Sequence, residues 1–220
     1  MTLANLRINI DRLTAHIEDL AEIGAIAGGG VCRIALTDED RQGRDMVVKW
    51  MHELGLEVTV DQIGNVIGIR AGQESGRPVM TGSHIDTVAS GGRYDGNLGV
   101  LAGLEVIATL NDTKIKTRKP IGVGFFTNEE GSRFAPDMMG SGVHQGAFEL
   151  KSMLDVLDND GARVGDELEK IGYAGEISTG DFRADSFVEL HVEQGPILEL
   201  ENYEIGQLKV CRVFRGTNTE

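Results

Sequence analysis

Pro120-Ile-Gly-Val-Gly-Phe-Phe-Thr-Asn-Glu-Glu-Gly-Ser-Arg-Phe134 is the stretch that decides the fold, because in it an apolar run ends in two adjacent carboxylates. The run from Pro120 to Phe126 has the length and composition of a buried strand. Glu129 and Glu130 follow it closely, and neighbouring carboxylates repel each other unless a cation lies beside them. We therefore expect a strand whose carboxyl end borders a metal site.

Helical and strand-like patterns alternate on both sides of this segment. The spacing of apolar residues predicts helices over 6–20, 37–54, 98–110, 151–157 and 163–171, and strands over 57–61, 65–70, 78–82 and 186–191. Thr37 has the position of a helix N-cap, with Asp40 at the capping-box position. Strands that alternate with helices predict an α/β layered domain.

Composition excludes several classes of protein. The chain of 220 residues is 40% apolar, which suffices for one globular domain with a core. It has 21 Lys and Arg against 35 Asp and Glu, so its net charge of -14 disfavours nucleic acid and acidic membranes as partners. Only Cys32 and Cys211 are present, which gives neither a disulfide framework nor a thiolate zinc site. With no signal peptide or membrane-spanning run, we expect a soluble, cytoplasmic protein.

Three further side chains have the chemistry of metal ligands. His84 and His191 each follow or end a predicted strand, and Asp95 lies in a glycine-rich turn. Taken singly, a strand-end histidine is more often scaffolding, and Asp in Tyr-Asp-Gly more often forms a turn. Ligand sites in α/β sheets gather beyond the carboxyl ends of strands, so His84, His191 and the glutamate pair, which all lie at such ends, can converge. Imidazole and carboxylate are the usual ligands of zinc and its neighbours.

Four ordered motifs give a resemblance to a known family. They are Gly82-Ser-His-Ile-Asp-Thr-Val88, Gly91-Gly-Arg-Tyr-Asp-Gly-Asn-Leu-Gly-Val-Leu-Ala-Gly103, Thr127-Asn-Glu-Glu-Gly-Ser-Arg-Phe134 and Glu189-Leu-His-Val-Glu-Gln-Gly-Pro196. Together they resemble the hydantoinase/carbamoylase family of amidohydrolases, within the wider group of dinuclear zinc aminoacylases and carboxypeptidases. The resemblance extends over roughly residues 5 to 206.

The resemblance implies a fold and a set of roles. The fold would be a mixed-sheet dinuclear metallohydrolase catalytic domain with helices on both faces. His84 and His191 would hold one of two divalent metal ions, Glu130 would hold the second, and Asp95 would bridge both. Glu129 would stay unligated as the general base. Zinc, manganese or cobalt would suit such ligands.

Two more residues are candidates for the site. Asp86, two residues after His84, could accept the proton of the second imidazole nitrogen and orient the ring. The alternative is that Asp86 caps its own loop. Gln194 offers an amide that could recognise a ureido group, and the resemblance implies that it contacts the substrate. A helix-start position before Pro196 is the competing interpretation.

The chain departs from the family in length. Members are about twice as long, and the resemblance implies that their later part carries a lid domain that forms homodimers, a further metal-binding histidine and the residues that hold the substrate carboxylate. Residues 1–206 would then be the N-terminal part of a C-terminally incomplete catalytic domain. The basic stretch 207–220 no longer resembles the family, and we interpret it as the result of a truncation or frameshift.

The implied reaction is hydrolysis of a linear amide or ureido carbon–nitrogen bond in a small molecule, with N-carbamoyl-L-amino acids as the favoured substrates. Allantoate or ureidopropionate hydrolysis is the alternative within the class. Exopeptidase or aminoacylase action is a third possibility. A chain without activity, which keeps only part of the metal site, is the rival from another class.

Overall fold

The computed structural model describes residues 5–181 and 183–208 and contains one mixed sheet. Its strands are β1 (Glu57–Val60), β2 (Val66–Arg70), β3 (Val79–Ser83), β4 (Ile121–Phe125) and β5 (Ser186–Val188). They lie in the order β1-β2-β4-β3-β5. The β1–β2 and β2–β4 pairs are antiparallel, whereas β3 pairs in parallel with both β4 and β5. The expected mixed sheet is confirmed.

Helices connect and cover these strands. They are α1 (Ile10–Glu22), α2 (Asp38–Glu53), α3 (Asn97–Asp112), α4 (Met139–Gln145), α5 (Leu150–Leu154), α6 (Val164–Ile171) and α7 (Ile197–Glu201). The sequence did not predict α4 or α7. Helix α1 begins at Ile10 rather than at Leu6, because the Asn9 side chain caps it by accepting from Arg12 N at 3.1 Å. In the described part of the chain, no helix is long and apolar enough to cross a bilayer.

Helices α2 and α3 cover the same face of the sheet. A side chain at Gly103 of α3 would meet Thr81 and Val123, and one at Gly68 would meet Met51 of α2. Gly68 and Val123 are paired across β2 and β4, so their Cα–Cβ directions share a face. The main hydrophobic core therefore lies between this face and the long helices.

The opposite face carries Ile67 and Met80, both buried. Helix α4 lies at one end of it, where the His144 ring contacts Phe126 with ring centroids 5.9 Å apart. Phe126 in turn contacts Phe187 of β5. Helices are thus present on both sides of the sheet.

Parallel pairing places the ends of three strands at one edge. Ser83 at the end of β3 pairs with Phe125 at the end of β4, and β5 runs alongside β3. The chain therefore leaves β3, β4 and β5 in the same direction. Strand β5 is shorter than the predicted 186–191 and is exposed along its length. Of the predicted tail 207–220, residues 209–220 lie outside the described residues, so this division of the chain stays a prediction.

A buried ion pair fixes α1 against α3. Glu105 of α3 is 1% exposed and accepts hydrogen bonds from Arg12 Nε, from the Asn9 backbone and from the Thr109 hydroxyl. Burial alone would raise the pKa of Glu105, but these hydrogen bonds outweigh it and lower the pKa below its usual value. The ionised carboxylate therefore stabilises the folded state.

We expect Glu105→Gln to lower the free energy of unfolding by about 2–4 kcal/mol at pH 7, because it removes the buried one of the two carboxylates that Arg12 contacts. The folded-state pKa is depressed, so this contribution is present above the unfolded pKa and is lost as the pH falls through the folded value. The measurement is urea unfolding followed by circular dichroism. The difference in the free energy of unfolding between wild type and variant should become smaller as the pH falls below 4.5.

Asp112→Asn is the matched control, because Arg12 also donates to Asp112, at 2.9 Å, but that carboxylate is 62% exposed. Exposed ion pairs contribute little, so we expect a loss below about 1 kcal/mol. If both variants lost the same free energy of unfolding, or if the loss in Glu105→Gln did not change with pH, the stabilising role of the ionised Glu105 would be contradicted.

Candidate metal centre

The structure brings together three of the residues that the sequence identified, His84, Asp95 and His191. One ligand atom from each lies within 4.8 Å of the other two. His191 Nε2 is 3.2 Å from Asp95 Oδ1, and His84 Nε2 is 4.0 Å from the same oxygen. His84 follows β3, Asp95 lies in the turn before α3, and His191 follows β5, so three separate segments meet at the edge of the sheet.

Backbone carbonyls orient both imidazole rings. His84 Nδ1 lies 2.9 Å from the carbonyl oxygen of Asp86, and His191 Nδ1 lies 2.8 Å from that of Val192. A carbonyl oxygen only accepts hydrogen bonds, so Nδ1 carries the proton in each neutral ring. The lone pair is then on Nε2, which in both rings faces Asp95.

The residues present fit a divalent cation. Asp95 Oδ1 is buried and accepts no hydrogen bond of good geometry from any described residue. Its other oxygen, Oδ2, accepts from Gln194 Nε2 at 2.6 Å. A buried oxygen such as Oδ1 is costly unless something positive contacts it, and here either a proton on His191 Nε2, 3.2 Å away, or a cation between the two atoms would meet that need. Two imidazole nitrogens beside such an oxygen form a donor set typical of zinc and similar ions.

The paired glutamates border this group. Glu129 Oε2 lies 3.4 Å from His84 Nε2, and its side chain is 32% exposed. Glu130 is half-buried and is not among the three residues whose ligand atoms lie within 4.8 Å of one another. Burial raises the pKa of Glu129, and it raises that of Glu130 to about 7. A nearby cation would therefore stabilise the ionised form of both groups.

Asp86 contacts the site in a different way from the one expected. Its carboxylate is 3.8 Å from His84 Nδ1, so the backbone oxygen of Asp86, and not its side chain, orients the ring. The carboxylate instead accepts from the amides of Glu129 at 3.2 Å and Glu130 at 3.3 Å. Two backbone donors in the turn after β4 hold it there. Asp86 thus joins the His84 segment to the glutamate pair.

Gln194 and Glu189 connect the exposed β5 segment to the rest of the site. Gln194, which the sequence suggested as a substrate contact, donates to Asp95 in this structure. The hydroxyl of buried Ser83 donates to Glu189 Oε1 at 2.5 Å, which ties the segment before His191 to the end of β3. The sequence did not identify the Ser83–Glu189 pair, because nothing in it gives the register of β3 against β5.

Charge in the site is mostly negative. Contact with the Asp95 carboxylate raises the pKa of His191 to about 9, and the same contact lowers the pKa of Asp95. Burial opposes protonation of His84, but the carboxylates of Asp86 and Glu129 outweigh it and raise its pKa. A cleft lined by carboxylates concentrates cations.

Gly96 makes room for the His84 ring. A Cβ built at Gly96 would lie 2.4 Å from ring atoms of His84, and the glycine has a φ of 64°. Both features exclude a side chain, because the ring cannot move away while it is buried and a left-handed backbone is strained for other residues. Gly96 therefore fixes the distance between His84 and Asp95, its neighbour in the turn.

We expect Gly96→Ala to weaken binding of a divalent metal by about 10–100-fold, the usual effect of displacing a ligand's support. The measurement is zinc retained per chain after dialysis against buffers of set free zinc, with a thermal melt of the metal-free chain alongside.

Gly92→Ala is the matched control in the same turn, since a Cβ at Gly92 would meet no atom within 4 Å. It should bind zinc as the wild type does. Wild-type affinity in Gly96→Ala would show that the close approach to His84 does not shape the site.

Comparison with known proteins gives a consistent family. The model of Peptidase family M20/M25/M40 matches residues 80–215, more than half of the chain. An N-carbamoyl-L-amino-acid amidohydrolase of Rhizobium meliloti is 44% identical over 209 residues, which are 94% of this chain and 50% of that protein. An allantoate amidohydrolase of Bacillus subtilis is 37% identical over 88% of this chain and 48% of its own length. The chain thus spans about half the length of the curated relatives it matches.

Solved structures agree in fold. A hydantoinase/carbamoylase family amidase from Burkholderia multivorans has a TM-score of 0.88 and 52% identity, over 90% of this chain and 48% of that one. The mixed sheet and its helices therefore have the fold of the catalytic domain in these amidases. The matched family is metal-dependent, in agreement with the cluster of His84, Asp95 and His191. By the family model and these similarities, the chain belongs to the M20/M25/M40 peptidase family, and its relatives place it with the hydantoinase/carbamoylase amidohydrolases.

Proposed function

We propose that this chain forms the N-terminal, metal-binding half of an amidohydrolase that hydrolyses a ureido carbon–nitrogen bond in N-carbamoyl-L-amino acids. The observation that carries the proposal is the convergence of His84, Asp95 and His191, with the Glu129 carboxylate 3.4 Å from His84 Nε2. The names of the relatives support hydrolysis of a ureido or amide bond. The carbamoyl substrate is the more specific part of the proposal.

Each ligand has an assigned place. His84 and His191 would hold one divalent ion, Glu130 would hold a second, and Asp95 would be a ligand shared by both. The buried Oδ1 of Asp95 accepts no well-aligned hydrogen bond and lies 3.2 Å from His191 Nε2, which supports its role as a ligand beside that ring, and the amide of Gln194 holds the other oxygen. When bound, ions of this kind polarise a carbonyl group and lower the pKa of a water molecule.

Glu129 is the proton carrier in this proposal. Its carboxylate lies at the mouth of the cluster and is one-third exposed, so it can reach both a water molecule and a substrate. It accepts the proton of the attacking water and returns it to the departing nitrogen. The Asp86 carboxylate accepts hydrogen bonds from the backbone amides of residues 129 and 130, which fixes the position of the backbone that carries the two glutamate side chains. Breaking the first carbon–nitrogen bond releases one nitrogen and leaves the other in a carbamate, which then loses carbon dioxide, so that one water molecule gives the amino acid, ammonia and carbon dioxide.

Substrate choice separates the related activities. Allantoate and ureidopropionate contain the same ureido group, so the residues named above would serve all three substrates. The test is to measure kcat/KM on a panel of an N-carbamoyl-L-amino acid, allantoate, ureidopropionate, an N-acetyl amino acid and a dipeptide. The last two substrates distinguish aminoacylase and exopeptidase action from carbamoylase action. We expect the highest kcat/KM on an N-carbamoyl-L-amino acid.

A second candidate function is metal binding without turnover. The observation that favours it is the exposure of the segment around His191: Val188, Leu200 and Ile205 are 65%, 75% and 82% exposed. Such apolar exposure is typical of a surface that another polypeptide covers. Zinc bound at the cluster with no hydrolysis of any member of the panel would favour this candidate.

The deciding variant is Glu129→Gln, which keeps the shape of the side chain but cannot carry the proton. We expect kcat to fall by about 10²–10⁴-fold, the usual contribution of a general base, while the chain retains its metal. Release of ammonia from an N-carbamoyl-L-amino acid by the metal-loaded chain is the measurement.

Glu169→Gln, at an exposed position of α6, is the control and should leave the rate unchanged. Hydrolysis that survives in Glu129→Gln would remove the proposed base. Hydrolysis that survives in the metal-free chain would contradict the metal-dependent mechanism.

A further inference from the structure

Arg33 is a fully buried cation outside the metal cluster. Its side chain is 0% exposed, and its guanidinium donates to four oxygens, three of which are backbone carbonyls. Burying a guanidinium is costly unless its donors are satisfied. The partners of Arg33 therefore have to keep fixed positions relative to one another.

One of these guanidinium contacts, together with two hydrogen bonds of the Arg33 backbone, binds the segment that carries His84. Arg33 Nε donates to the carbonyl of Ile85, the next residue after His84, at 2.7 Å. The backbone N–H of Arg33 donates to the hydroxyl of Thr87 at 2.8 Å, and the N–H of Thr87 donates back to the Arg33 carbonyl at 2.9 Å. Hydrogen bonds from Arg33 thus hold residues 85–87 through their backbone and through the Thr87 side chain.

Another guanidinium contact reaches the turn that carries Asp95. Arg33 Nη2 donates to Asn97 Oδ1 at 2.9 Å, and Asn97 Nδ2 donates to the carbonyl of Arg93 at 3.3 Å. Asn97 is itself buried, at 2% exposed. The Asn97 amide therefore closes the turn 93–97 around Asp95 and fastens it to Arg33.

One guanidinium thus contacts the segments of two candidate ligands. We infer that Arg33 and Asn97 are positioning residues of the metal centre, which set the separation of His84 and Asp95 through the contacts to Ile85, Thr87 and the turn 93–97. Neither residue touches the ion or the substrate. The inference rests on the proposed function in that it assumes His84 and Asp95 are ligands of one ion.

The test is cobalt affinity of the chain, followed by visible absorption, in Asn97→Ala. The variant removes the contact between Arg33 and the Asp95 turn and leaves the three carbonyl contacts of Arg33 in place. We expect the affinity to fall about 10–100-fold, as for other residues that orient ligands, and the absorption bands to change in intensity. Asn97→Asp keeps an acceptor for Arg33 but loses the donor to the Arg93 carbonyl, so we expect a smaller loss of affinity than in Asn97→Ala.

Asn111→Ala is the control, because it lies in the same helix and loses an equivalent pair of hydrogen bonds. Asn111 accepts from Arg70 Nε at 2.9 Å and donates to the Leu54 carbonyl at 3.0 Å, at the end of α3 far from the cluster. We expect cobalt affinity and spectrum to match the wild type. Thermal melts of the metal-free variants separate a loss of stability from a loss of ligand geometry.

Wild-type affinity in Asn97→Ala, or equal weakening in Asn97→Ala and Asn97→Asp, would overturn the inference and leave the proposed function standing. Failure of the wild-type chain to bind cobalt at all would overturn the proposed metal centre itself, and the inference with it.

If Asn97→Ala does not fold, Thr87→Val serves instead, since it removes the acceptor for Arg33 N and keeps the shape of the side chain. Weaker cobalt binding in that folded variant supports the inference, and unchanged binding overturns it.

Discussion

The parallel pairing of β3 with β4 is the constraint on which the candidate site depends. Because Ser83 and Phe125 are partners, both strands end at one edge of the sheet, and the residues that follow them enter the same space. Asp86 then connects the segments that follow the two strands. Its carbonyl orients His84, and its carboxylate accepts hydrogen bonds from the amides of Glu129 and Glu130. A slip of this register would separate the imidazole from the glutamates.

The distribution of charge divides the molecule into a site and its support. Carboxylates dominate the site, and burial raises the pKa of Asp86, Glu129 and Glu130, which is the cost of gathering them beside few cations. Arginine side chains bind the surrounding loops instead. Arg133 donates to Asp158, to Glu167 and to two backbone carbonyls near the start of α2, and so braces the turn that follows the glutamate pair. A divalent ion is the natural complement to such a site.

The sequence predicted the parts of this arrangement that follow from local patterns. Strand β4 was evident from its apolar run, and the convergence of His84, His191 and the glutamate pair was expected because ligands gather at strand ends, whereas the place of Asp95 beside them came from the family resemblance. Helix α4 was missed because Met139-Gly-Ser-Gly-Val-His-Gln145 contains two glycines and no apolar periodicity. The contacts of Asp86 could not be predicted, because they depend on where amides 43 and 44 residues away come to lie. The same holds for Arg33, whose acceptors come from three separate segments.

The most direct test of the central claim, that His84, Asp95 and His191 hold a divalent ion, is a crystal structure of the zinc-loaded chain with an anomalous difference map at the zinc edge. We expect a peak at about 2.0–2.2 Å from His84 Nε2, His191 Nε2 and an oxygen of Asp95. We also expect the Nδ1 atom of each ring to keep its contact with a backbone carbonyl. A map with no peak among these three residues, or with zinc bound only elsewhere on the acidic surface, would contradict this assignment.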